Sequence, residues 1–187
     1  MLTKCVLQEF PCQNPDYSKF DKIASGELAN SIPASIIIND SAFCTMIPTD
    51  KDLQVGDITH KTYLKALVGQ TGLYHLWIDY DNCDDHENYT MLCIYVGKGI
   101  AELRIDDHIR RRWPKEAQLY VTFTEIENRL SKYYEQLFLD IYDFNLNRNE
   151  NRGEEELYAV WPEELHNIGT QTHDVSNRSN MSGLDDF

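Results

Sequence analysis

The sequence predicts an α+β domain: a small, mostly antiparallel three-stranded sheet flanked by helices, with an extra N-terminal region and a flexible acidic C-terminal tail. Three observations carry this. Gly72–Tyr80 and Tyr89–Val96 are dense in β-branched and aromatic side chains, and a polar stretch rich in Asp and Asn separates them, the pattern of an antiparallel hairpin. Leu119, Val121 and Phe123 alternate with Tyr120 and Thr122, the period of a third strand. Between and after these strands, apolar residues recur at helical intervals.

Taken in order, residues 1–70 form an N-terminal region of unassigned role, punctuated by Pro11, Pro15, Pro33 and Pro48. Within it the apolar run Ala34–Ile38 reads as a buried strand, and Ile58, Leu64, Leu67 and Val68 read as one helix stopped by Gly69. Residues 71–153 hold the hairpin, two helices and the third strand. Ile100, Leu103, Ile109 and Trp113 predict a helix ended by Pro114. Thr124-Glu125-Ile126-Glu127 has the form of a capping box, opening a helix that buries Ile126, Leu130, Tyr133, Leu137 and Ile141 along one stripe. Residues 154–187 are expected to be mostly mobile, with one short packed element between Leu157 and Leu165.

The bulk numbers exclude several classes. At 187 residues, 42% hydrophobic and 26% charged, the composition is that of a soluble globular chain. No apolar run approaches the roughly 20 residues of a membrane span, and no cleavable signal peptide is legible at the N-terminus. The expected location is the cytoplasm, or outside the cell by a route that needs no such signal. Five cysteines without a Cys-x-x-Cys pair argue against a disulfide framework. Cys83 and His86 come nearest to a metal spacing, but two ligands do not make a zinc site. The net charge of −14 opposes general nucleic-acid binding. The window Lys98–Lys115 departs from it, with six basic residues against three acidic ones, enough to hold a phosphate or two.

Chemistry concentrates in one ordered set of residues. Gly72-Leu73-Tyr74 opens the first hairpin strand and Tyr95-Val96-Gly97-Lys98-Gly99 closes the second. Arg104 and His108, four positions apart, share one helix face. Glu135 lies mid-helix, about 140° around from the apolar stripe, and Asn147 comes twelve residues later. Arg104 brings a rigid fork of donors suited to phosphate oxygens. The bare Gly-Lys-Gly lacks the spacing of a P-loop.

This set, in this order of elements, resembles the core of the GIY-YIG nuclease family over Gly72 to about Gly153. The resemblance implies a Mg²⁺-dependent (or Mn²⁺-dependent) endonuclease acting on DNA. Glu135 would hold the single metal. Tyr74 would take the proton of the attacking water, with Tyr95 orienting that water or contacting phosphate. Arg104 would stabilise negative charge at phosphorus, and Asn147 would tie the site together. His108 would assist. Lys98, Gly97 and Arg111 would contact the substrate. The sequence departs from the family at three points. Tyr74 and Tyr95 are 21 positions apart, a wide gap that the Asp81–Tyr89 loop is expected to absorb. Leu73 and Val96 stand in place of Ile. No proline precedes Asn147, which leaves Asn145 as a competitor for the same role. Asp106 and Asp107 would also repel DNA unless they face away.

The chain carries no helix-turn-helix, zinc finger or basic arm, which disfavours sequence-specific cutting. A toxin or effector with an inhibitor (immunity) protein as partner, or a structure-selective repair nuclease, fits better. The rival reading is a non-catalytic adaptor that keeps the fold.

Overall fold

The hairpin is the backbone of the molecule. In the computed structural model, which describes residues 5, 12–39, 43–47, 60–113, 119–147, 151–163 and 166, strands β2 (Thr71–Cys83) and β3 (Asn88–Ile100) pair antiparallel over their whole length. The polar stretch expected as a long loop is mostly paired strand, and the turn is confined to residues 84–87. The wide gap between Tyr74 and Tyr95 is therefore taken up by longer strands.

The architecture is α+β, but the sheet is larger than the three expected strands. β1 (Phe43–Ile47), β4 (Leu119–Glu125), β2, β3 and β7 (Tyr158–Pro162) form one antiparallel sheet in the order β1-β4-β2-β3-β7. The two outer strands come from the flanking regions. One strand from within residues 1–70 and one from within residues 154–187 thus join the same sheet. The remaining elements are α1 (Ser18–Glu27), α2 (Ala34–Asn39), α3 (His60–Tyr63) running into a 3-10 turn (Leu64–Leu67), α4 (Ala101–Arg111), α5 (Asn128–Ile141) and the two-residue pair β5 (Tyr142–Asp143) and β6 (Glu155–Glu156). No helix among the described residues is long and apolar enough to cross a membrane.

Apolar residues cover both faces of the sheet, because helices lie on both. Leu73 and Trp77 of β2 point to the face packed by α1, α2 and α5; Tyr74 and Leu76 point to the face packed by α4 and the 3-10 turn. Phe20 of α1 sits 4.4 Å, ring to ring, from Phe138 of α5. Burying a ring of this size stabilises by about 1.5–3 kcal/mol, which favours α1 packed on α5. Ala34–Ile38, expected as a strand, is instead helix α2, with Ile37 and Ile38 fully buried. A short apolar run does not distinguish a buried strand from one face of a short helix. Gly69 ends the 3-10 turn with φ +76, a conformation that favours glycine.

The capping box does not form. α5 begins at Asn128 with no side-chain cap, and the Thr124 hydroxyl donates to the Ile37 carbonyl at 3.0 Å. Tyr134 and Phe138 are fully buried, while the expected Leu130 and Tyr133 pack half-buried against the same core. Ile58, Pro114 and the tail from Asn167 lie outside the described residues.

Candidate active site

Tyr74 and Tyr95 share a face of the sheet only because β3 is irregular. Along an ideal strand Tyr95 would align with Met91 and Cys93, which belong to the opposite core. The register shifts between Leu76/Tyr95 and Trp77/Cys93, leaving Ile94 as an extra residue. This bulge turns Tyr95 to the side of Tyr74, and the rings stack with centroids 5.9 Å apart. Gly97 pairs across from Tyr74. A Cβ there would lie 2.5 Å from the Tyr74 hydroxyl and 2.6 Å from Tyr95 Cε1. The glycine is the space that the two rings occupy.

Both phenols sense the same two charges. Burial raises the pKa of Tyr74 well above 10, with Tyr95 and the Glu135 carboxylate adding to the rise and Arg104 opposing it. Burial also raises that of Tyr95, with Glu135 adding to it, while Tyr74, Arg104 and Arg112 pull it back. The Tyr74 hydroxyl is sealed from solvent, with no hydrogen-bond partner at normal geometry and the Tyr95 phenol as its polar neighbour. Tyr95 is 9% exposed and is the more accessible of the pair.

α4 delivers the cationic wall. It starts immediately after the corner at Gly99 and Ile100, where a glycine φ of +107 turns strand into helix. Arg104 is exposed, and no salt bridge among the described residues engages it. One turn on, His108 is buried with its ring 4.0 Å from that of Tyr95. Burial first, then the Arg112 and Arg104 charges, lower its pKa to about 4. His108 is therefore a buried, neutral imidazole at neutral pH, with the Asp107 carboxylate opposing the shift. Its Nδ1 is buried without a partner.

From the other side, α5 presents Glu135, whose Oε2 lies 3.9 Å from Lys98 Nζ. Lys98 pairs across from Leu73, so it emerges on the α5 face of the sheet, while its neighbour Gly97 keeps the tyrosine side open. Asn147 bridges to the backbone of β3. β7 stops pairing with β3 at Leu92. Beyond that point the Asn147 amide takes over, accepting from Val96 N at 3.0 Å and donating to Val96 O at 2.9 Å. Asn145 is exposed and makes no such bridge. Asn147 thus holds in place the backbone between Tyr95 and Gly97.

Arg111, expected on substrate, is held by Asp107 at 2.7 Å on the exposed surface of α4. Asp106 is likewise occupied, by His60 and Arg110, each at 2.6 Å. The two acidic residues that would repel a polyanion are thus locally neutralised. Arg112, counted in the basic window but not among the expected site residues, caps the C-terminus of α4, and its charge pulls down the pKa of both Tyr95 and His108.

Tyr74, Tyr95, Arg104, His108, Glu135, Lys98, Gly97 and Asn147 accordingly surround one end of the β2–β3 pair. Comparison of the chain with protein-family models, with curated proteins and with solved structures returned no match.

Proposed function

We propose that this end of the hairpin is the active site of a metal-dependent endonuclease that hydrolyses DNA phosphodiester bonds. The observation that carries the reading is geometric: Tyr74 and Tyr95 stack 5.9 Å apart around Gly97, with His108 4.0 Å from Tyr95, at the end of the hairpin where α4 brings Arg104 beside Gly99 and α5 brings Glu135 beside Lys98. Both helices bring charge to the tyrosines, as cleavage of a charged ester requires.

The donor set fits a hard divalent cation such as Mg²⁺. Glu135 offers a half-buried carboxylate, and magnesium is commonly held by one or two carboxylates, waters and substrate phosphate. The ion would supply electrostatic stabilisation of the charge developing on phosphate oxygens. Arg104 presents its N–H donors to the same charge. Lys98, only loosely paired with Glu135, is free to turn to a phosphate oxygen. A phenol accepts a proton only as phenolate, which burial and the negative Glu135 disfavour here; neutralising Glu135 removes one of those causes. His108, already neutral and packed against the Tyr95 ring, is an imidazole beside the tyrosines that can take a proton.

The complete burial of Tyr74 favours a second reading, in which the tyrosines are core aromatics of a binding module. Nicking of supercoiled plasmid with Mg²⁺ or Mn²⁺ separates the two. Wild type should nick, and Arg104→Ala and Glu135→Ala should not. No nicking by wild type with either metal supports the binding module; equal cutting by all three proteins places the active site elsewhere. Toxicity on expression, relieved by Glu135→Ala, would favour an effector neutralised by an inhibitor protein over a repair nuclease.

A further inference from the structure

At the opposite end of the same hairpin, four side chains converge that the proposed nuclease does not use. Cys83 ends β2 and His86 lies in the turn after it. Cys5 and Cys12 arrive from the N-terminal region. The donor atoms of these residues all lie within 4.8 Å of one another. The Cys5 and Cys83 sulfurs are 3.1 Å apart, and His86 Nδ1 lies 3.0, 3.6 and 3.5 Å from the sulfurs of Cys5, Cys12 and Cys83. A tetrahedral zinc with Zn–S of about 2.3 Å and Zn–N of about 2.0 Å has ligand edges of about 3.5–3.8 Å. The cluster therefore has close to the dimensions of a zinc cage.

We propose that Cys5, Cys12, Cys83 and His86 are the ligands of a structural zinc ion that ties the N-terminal region to the tip of the β2–β3 hairpin. Sequence spacing agrees with the geometry. Cys83-x2-His86 is a zinc-binding pair on a tight turn, closed by His86 N donating to the Cys83 carbonyl at 3.3 Å. Cys5-x6-Cys12 supplies the second pair from a distant part of the chain. Asn88 Nδ2 donates to the Cys12 carbonyl at 2.9 Å, so the incoming segment is also fastened at the first residue of β3.

Three sulfurs and one imidazole nitrogen are soft donors that select zinc over magnesium. Four protein ligands leave no open position, as in structural sites. A disulfide accounts for the cluster poorly. It would bond two sulfurs at about 2.04 Å and leave the third thiol and the imidazole without a purpose. The cluster is also remote from the tyrosines. Nine residues of strand, about 30 Å, separate Tyr74 from Cys83. Zinc binding is accordingly independent of whether the nuclease reading holds.

The test uses the full chain, purified without a polyhistidine tag. Elemental analysis should find about one zinc per chain, the stoichiometry of a closed site. Cobalt substituted for zinc should show the visible ligand-field bands and near-ultraviolet thiolate charge transfer of a tetrahedral thiolate site. Thiol labelling of wild type should be slow with zinc present and speed up on chelation, with Cys5, Cys12 and Cys83 becoming labelled. Cys12→Ser and Cys83→Ser should lose stoichiometric zinc, while His86→Cys, which keeps four good ligands, should retain it. The labelling and cobalt experiments need no variant, so misfolding of a serine variant does not blunt the test. Protein that carries no zinc and gives no cobalt bands overturns the proposal. So does a Cys5–Cys83 disulfide found by mass spectrometry, or iron in place of zinc.

Discussion

The two ends of one hairpin have opposite chemical character. At the end where β2 begins, the side chains are phenol, guanidinium, carboxylate and imidazole, arranged around a glycine that leaves room for them. At the turn end, three thiols and one imidazole crowd together with their donor atoms in mutual contact. The first set is hard, includes an exposed arginine, and is held by backbone devices: a bulge, a positive-φ glycine and an asparagine bridge. The second set is soft and closed, and non-covalent contacts alone give thiols little reason to gather. Oxygen and nitrogen groups spaced for a substrate suit catalysis, whereas sulfur donors spaced for one another suit a structural ion. The ladder between the two ends lets each be perturbed without the other.

The largest expected effect is at the proposed active site. Arg104→Ala and Glu135→Ala should each lower Mg²⁺-dependent nicking by about 10²–10³-fold, the usual loss when one preorganised electrostatic group is removed. Zinc content and thermal midpoint should stay as in wild type. Loss of zinc in either variant would break the separation of the two ends.

Gly97→Ala comes next. A methyl group cannot enter 2.5 Å from the Tyr74 hydroxyl and 2.6 Å from the Tyr95 ring without moving one of them. Both rings are buried, so the expected cost is about 1–3 kcal/mol, read as a lower urea midpoint, together with loss of nicking. At Gly26, where nothing lies within 4 Å of a Cβ, alanine should be accepted with no loss of stability.

Acid should weaken the fold through buried histidines. Burial lowers the His75 pKa to about 3, and burial with the Arg112 and Arg104 charges lowers that of His108 to about 4, both from 6.5. In the unfolded chain these residues gain protons as pH falls below 6.5; in the folded protein they do not until pH 4 or below. The unfolded state then binds more protons, so stability falls across that window, by at most about 1.4 kcal/mol per pH unit for each histidine. Urea midpoints from pH 7 to pH 4.5 measure this. His75→Phe, which keeps a ring against Phe138, should flatten the slope, and an unchanged slope would exclude His75 as its source.

The smallest effect separates the two asparagines. Asn147→Ala leaves the Val96 N–H and carbonyl without partners and should cost about 1–3 kcal/mol. Asn145→Ala should stay within about 0.5 kcal/mol. Equal effects would mean that the edge of β3 does not depend on this bridge.

Much of this was legible in the chain. The density of β-branched and aromatic residues located the core of β2 and β3, period-2 alternation located β4, and helical spacing located α4 and α5. The order of Tyr74, Tyr95, Arg104, Glu135 and Asn147 marked the residues that now share one end of the sheet. The edge strand β1 was not legible, and β7 only as a short packed element between Leu157 and Leu165 of no assigned type, since an edge is defined by its partner and β1 pairs with residues 72 to 80 positions further along the chain. The capping box failed for a related reason: the Thr124 hydroxyl found a tertiary acceptor in α2.

Sequence by itself determined which side chains are available, which strands and helices carry them, and that Arg104 and His108 share a helix face. Those are local properties, set within a few residues by the periodicity of the backbone. Tertiary structure alone decided that Tyr95 turns toward Tyr74 and that Cys5 and Cys12 meet Cys83 and His86. The first depends on a bulge and the second on a contact across some 70 residues of chain, and no local pattern encodes where a distant segment will come to rest.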